Sequence, residues 1–219
     1  MMYQNYSISE KSTFFQKLRS IDYLLLFTVL IVGLISIFAM YSTDGGEILY
    51  HTKNHIYRFS AFFVMMIIIS FLNIKFWHST GYIFYITILA LLFWASHYGI
   101  TASGSQRWIN LYLINLQPSE LMKIAIIVCF SKYYHRMQVS NVNKSKNILI
   151  PLVILFIPIA LVVSQPDLGT AILIALSGLI VLWLAGVNAK YFFYSGLLFI
   201  ISAPFVISFL KPYQKSRIL

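Results

Sequence analysis

The sequence predicts an all-α, polytopic membrane helix bundle, and three observations predict it. Of 219 residues, 59% are hydrophobic and only 10% charged, against about 45–50% and about 25% in soluble domains. Seven apolar stretches approach the roughly 20 residues that a spanning helix needs at about 1.5 Å per residue. The basic residues fall unevenly among the segments that join them. The same composition excludes a water-soluble globule, a disordered chain and a coiled coil.

The seven stretches are 22–41, 56–72, 81–97, 118–134, 148–164, 168–186 and 191–210. Each must satisfy its own backbone in lipid, so each is expected to be a helix. Pro151 and Pro158 in the fifth and Pro204 in the seventh predict kinks. The first run is too long for a signal peptide and lacks a small-residue cleavage site. With the N-terminus in the cytoplasm, the inner segments hold Lys11, Lys17, Arg19, Lys75, Lys132, Arg136, Lys144, Lys146 and Lys190, whereas the outer loops before the tail hold only Lys53 and Arg107. Nine against two is a positive-inside pattern. The net charge of +10 therefore marks membrane-flanking segments rather than a nucleic-acid surface, and no nucleic-acid partner is expected.

Residues 1–20 read as a cytoplasmic leader, 21–210 as the bundle, and 211–219 as the start of an outer loop. Within the leader, 11–20 mix bases with Phe14, Phe15 and Leu18, as an interfacial segment or a flexible lead-in would. The tail carries Lys211, Lys215 and Arg217 on the outer side and breaks the charge rule. Either the seventh span is misread or an outer domain begins there. Segment 98–116 alternates apolar and polar residues from Trp108 to Leu116 and reads as an interfacial or partly re-entrant loop. Segment 135–147 reads as a solvated connector.

Of six acids, Glu10, Asp22, Asp44 and Glu47 lie at or beyond membrane edges, whereas Glu120 and Asp167 begin apolar spans. Ionisable groups at membrane depth are costly and so mark candidate sites. In Gln117-Pro118-Ser119-Glu120-Leu121-Met122-Lys123, Pro118 suits a first helical turn, and Glu120 then sits at the positive end of the helix dipole. Glu120 and Lys123, three apart, share a face. They form either a structural ion pair or the polar floor of an outward-facing cavity. In Gln165-Pro166-Asp167-Leu168-Gly169-Thr170-Ala171, Ser164 and Asp167 have capping-box spacing, so a plain helix start is the rival reading. The topology places both starts on one side, together with Arg107 and Trp108. Two positive helix ends, Arg107 and Lys123 would favour an anion such as a phosphate head group. Trp108 and Tyr112 suit either a sugar or an interfacial aromatic belt.

No metal site is expected: the five histidines show no ligand spacing beyond His51 and His55, and Cys129 is the one cysteine, so no internal disulfide is possible. No cofactor is expected either. A divalent cation is not readable from these residues.

Gly104–Ile109, Gln117–Lys123 and Gln165–Ala171 together carry a resemblance. The chain resembles the shape, elongation, division and sporulation (SEDS) family of polytopic membrane proteins. Ile21-Asp22-Tyr23, Met40-Tyr41-Ser42, Tyr213-Gln214 and Arg217-Ile218 look more like its RodA branch than its FtsW branch. The resemblance implies a peptidoglycan glycosyltransferase of the bacterial cytoplasmic membrane. Such an enzyme polymerises the lipid-linked precursor lipid II into glycan strands for cell-wall elongation and rod shape, working with a class B penicillin-binding protein. It implies that Arg107, Trp108, Glu120, Lys123 and Asp167 line the central cavity. It also implies about ten spans, with a catalytic aspartate in an outer loop after the seventh. On that pattern the expected base lies beyond Leu219, leaving Asp167 as a weak candidate for it within this chain. Rival readings are a flippase for the same lipid-linked precursor and a non-catalytic, partner-binding or decayed chain.

Overall fold

The computed structural model describes residues 14–102, 105–111 and 115–208. Tyr112, Gly104, the first thirteen residues of the leader and the tail 211–219 lie outside the described residues. The chain divides into two compact units, residues 1–74 and 75–219.

The first unit contains α1 (Phe14–Arg19), α2 (Tyr23–Thr43) and α3 (Tyr50–Ser70). Asp22 caps α2 by accepting a hydrogen bond from the Leu25 amide at 3.0 Å. α2 and α3 pack together, and the Phe59 ring fills the space that a Cβ on the buried Gly33 would need. Asp44 closes their connection, accepting from the Thr52 amide at 2.8 Å and its hydroxyl at 2.6 Å. These bonds hold the Asp44 carboxyl below its ordinary pKa. Ser36 Oγ and His55 Nε2 are 2.8 Å apart, so His55 has a structural partner across the helix pair.

The second unit contains α4 (Ile74–Tyr98), β1 (Ile100–Ala102), β2 (Ser105–Asn110), β3 (Asn115–Leu116), α5 (Pro118–Tyr134), α6 (Val139–Val142), α7 (Ser145–Ser164), α8 (Leu168–Leu184) and α9 (Ala189–Ser208). α5, α7 and α8 pack against one another. Leu92, Met122, Ile126, Phe130, Ile174 and Leu182 form the centre of their core, each 3% exposed or less. α4 joins this core through side chains: Tyr85 donates to the Ile154 carbonyl at 2.8 Å and Lys132 to the Ser79 carbonyl at 2.6 Å. Pro151 and Pro158 lie inside α7 and are fully buried. The outward faces carry Phe93, Trp94, Phe156 and Trp183, all more than half exposed. Water would penalise such a surface, whereas hydrocarbon accepts it. The molecule is an integral membrane protein.

Among the described residues a long helix overlaps each of the seven predicted stretches. By length and apolarity α2, α4 and α7 qualify outright as spans, and α8 is a shorter apolar helix. α3 and α4 begin at residues 50 and 74 rather than at the predicted 56 and 81. Hydropathy locates the part of a helix that lies in lipid, and i→i−4 hydrogen bonding continues past it through Tyr50–His55 and Ile74–Thr80.

Three other expectations change. Segment 98–116, expected to be an interfacial or partly re-entrant loop, carries three short antiparallel strands among its described residues, in the order β1-β2-β3. The alternation noted there has the period of a strand. Ser164 does not cap α8: its hydroxyl bonds back to the Leu161 carbonyl at 2.7 Å, and α7 runs through it. Asp167 itself is the N-cap, so Pro166 precedes the helix, whereas Pro118 occupies the first turn of α5 as predicted. Segment 135–147 is more than a connector. It contains α6, and Asn143 ties it to the α8–α9 turn through the Gly186 carbonyl and the Asn188 amide.

Candidate functional site

Asp167 is the centre of the polar end of the second unit. Its Oδ1 accepts from the Thr170 amide at 3.3 Å, which fixes the carboxylate at the start of α8. Its Oδ2 accepts from Arg107 Nη1 at 2.8 Å and from Gln117 Nε2 at 3.2 Å. Arg107 comes from β2, which pairs with β1 and β3 and packs against α5. Gln117 precedes Pro118 and has the extended backbone that the position requires, φ −106° and ψ 105°. Two groups from the stretch before α5 thus converge on a carboxylate 50 and 60 residues further along the chain. The ion pair is largely buried, with 24% of the Arg107 side chain and 11% of the Asp167 side chain exposed.

Beneath this cluster Gln165, 5% exposed, donates to the Leu92 carbonyl at 3.2 Å and ties the α7–α8 connection to α4. Ser119 is buried, and neither its Oγ nor Arg107 Nε has a hydrogen-bond partner among the described residues.

Lys123 Nζ and Glu120 Oε2 are 2.7 Å apart on α5. Glu120 stands in the first turn of that helix, with 53% of its side chain exposed. No side-chain hydrogen bond or ion pair joins these two to the Arg107–Asp167 cluster among the described residues. Trp108 is half-buried on β2 and pairs in register with Ile100. The structure therefore brings Arg107 and Asp167 together, pairs Glu120 with Lys123 separately, and keeps Trp108 on the adjoining strand. Both cations that were expected to favour an anion are paired with an acid of this chain, Lys123 with the Glu120 that shares its face. Gln117, Ser119 and Gln165 were not among the expected site residues. For Gln117 the signal was its place before Pro118, which sets its backbone.

Burial pushes the Asp167 carboxyl up, but the hydrogen bonds from Arg107 and Thr170 and the guanidinium charge outweigh burial and hold it below its ordinary value. Stability from this group is therefore full above the ordinary carboxylate pKa, about 4. It is lost as pH falls through the lowered folded value. We expect the melting temperature in detergent to fall on acidification below about pH 4, and to fall less steeply in Asp167→Asn. Identical slopes in the two proteins would show that Asp167 contributes nothing to the acid limb.

The fold and this cluster define a polytopic helical membrane protein with a partly buried, ion-paired polar site at the helix starts. The chain belongs to the FtsW/RodA/SpoVE family of cell cycle proteins, whose model matches residues 16–219. It is 31% identical over 210 residues to the peptidoglycan glycosyltransferase MrdB of Escherichia coli (strain K12), which covers 95% of this chain and 56% of that protein. Its fold is similar to a chain in a structure described as structural coordination of polymerization and crosslinking by a peptidoglycan synthase complex, with TM-score 0.77 and 20% identity over 91% of this chain and 58% of that one. It is also similar to the rod shape-determining protein RodA of Thermus thermophilus, with TM-score 0.71 and 18% identity over 83% of this chain and 59% of that one. The chain thus spans little more than half the length of the relatives it matches. Among the described residues no group of three or more His, Cys, Asp or Glu comes together that could hold a metal ion.

Proposed function

We propose that this chain acts in peptidoglycan glycosyl transfer, polymerising lipid II on the outer face of the bacterial cytoplasmic membrane for cell-wall elongation. In this reading the N-terminus is cytoplasmic and the working partner is a class B penicillin-binding protein. The observation that supports it is the convergence of Arg107, Gln117 and Asp167 at the helix starts. The chemistry is attack by a sugar 4-hydroxyl on an anomeric carbon, which expels a lipid pyrophosphate. That step needs a base for the hydroxyl proton and positive charge for the leaving group.

Asp167 is poorly suited to be the base, because three donors already engage it and its proton affinity is reduced. We assign it a positioning role: it holds the Arg107 guanidinium through Nη1, fixing where that cation can meet the pyrophosphate. Lys123, in the first turns of α5, is held by Glu120 and stands apart from this cluster. In this reading the base is a residue other than Asp167.

The test is polymerisation of fluorescent lipid II by the chain reconstituted with the penicillin-binding protein. Arg107→Lys keeps the charge but loses the fork, and Asp167→Asn keeps the helix cap. Each is expected to lower polymer yield by about 10²-fold or more. Undiminished polymer from both variants would overturn the assignment. Movement of labelled lipid II across the membrane without polymer would support the flippase reading, and partner binding without either activity would support a non-catalytic one.

A further inference from the structure

A second polar feature lies at the other end of α5, about 25 Å away for a helix of 17 residues. There a cavity of about 560 Å³ opens between the end of α5, α6 and the start of α7. It is lined by Tyr133, Arg136, Met137, Gln138, Asn141 and Asn147. One wall is built by hydrogen bonds. Asn147 donates through Nδ2 to the Asn141 carbonyl at 2.9 Å and accepts at Oδ1 from the Tyr133 hydroxyl at 3.4 Å. Its own carbonyl accepts from Tyr134 at 2.7 Å. The Asn147 amide is thereby used up in holding the wall.

Arg136 and Gln138 are left. Arg136 is exposed and makes no hydrogen bond or ion pair with any described residue, and the Gln138 side chain makes no hydrogen bond with one. No answering acid is near in sequence: between Lys123 and Asp167 the chain holds Lys132, Arg136, Lys144 and Lys146 and no Asp or Glu. The cavity is open at the surface rather than enclosed, which suits a head group held at its edge rather than a small molecule engulfed by the protein. A cation and an amide thus sit where the apolar helices α5 and α7 end and begin, the level at which a phospholipid carries its head group.

We propose that this cavity binds the phosphate head group of an anionic phospholipid, with the Arg136 guanidinium as its anchor and the Gln138 amide as a second donor. A planar guanidinium grips phosphate through paired N–H bonds, and basic pockets between membrane helices suit anionic head groups. The site is separate from the Arg107–Asp167 cluster and does not depend on the function proposed for that cluster.

Native mass spectrometry of the whole chain tests it, with phosphatidylglycerol and phosphatidylcholine of identical acyl chains as probes. Wild type is expected to retain phosphatidylglycerol about tenfold better than phosphatidylcholine, and Arg136→Gln to lose most of that preference. Gln138→Ala provides a second, milder variant. Lys146→Gln removes a cation of the same segment that does not line the cavity, and is expected to leave the preference within about twofold. Absence of a preference in wild type, or equal losses in Arg136→Gln and Lys146→Gln, would overturn the site. Displacement of the lipid by millimolar inorganic phosphate would overturn the lipid assignment in favour of a soluble phosphate.

Discussion

Arg107→Met is expected to lower the unfolding free energy in detergent by about 2–4 kcal/mol. The substitution keeps most of the side-chain volume and removes the charge. Asp167 would then be a carboxylate 11% exposed, still bonded to Gln117 and Thr170 but with no cation beside it. Removing one partner of a fully buried pair costs about 3–5 kcal/mol. Water at the 24% exposed Arg107 side lowers the figure here. Asp167→Asn is expected to be milder, because Asn also caps a helix, although it leaves the guanidinium without its counter-charge. The double variant should recover much of the loss, since neither charge then remains to be desolvated. Chemical denaturation of the four proteins gives the coupling energy directly. A double variant as unstable as the sum of the singles would mean that the pair does not hold this end together.

Gly99→Ala is expected to cost a similar amount by a different route. Gly99 joins α4 to β1, and its amide donates to the Ala95 carbonyl at 3.0 Å. A Cβ at this position would overlap the Ala95 carbonyl oxygen and lie 3.1 Å from that of Trp108. Both are backbone atoms, which cannot rotate away as a side chain would. The main chain must shift, and such overpacking costs about 1–3 kcal/mol. The shift reaches the polar site, because Ile100, the next residue, pairs with Trp108 beside Arg107. Displacing β2 would draw the guanidinium off Asp167. The two effects should therefore be non-additive: Gly99→Ala combined with Arg107→Met is expected to cost less than the sum of the singles. Strict additivity in denaturation midpoints would show that the hairpin moves without disturbing the ion pair. Gly178 offers a contrast: a Cβ there would meet the Leu155 methyls at 2.6 Å and 2.8 Å, and those can change rotamer.

What could be read from the amino-acid order alone is what local physics controls. A membrane helix closes its hydrogen bonds within one segment, so the seven apolar stretches declared themselves as helices without reference to their neighbours. Pro118 in the first turn and the Glu120–Lys123 pair are contacts within four residues and were equally legible. Topology also placed the two helix starts at one end, since antiparallel spans alternate sides. The sequence did not specify which groups meet there. Arg107 and Asp167 are 60 positions apart and Gln117 and Asp167 are 50 apart, and nothing in the local pattern selects those partners over Glu120 or Lys123. The choice depends on where a short sheet holds β2 against α5, and on Asp167, not Ser164, ending the turn before α8. Strand pairing and side-chain burial are set by segments remote in sequence, so only the tertiary structure decided which charges are paired and which face outward.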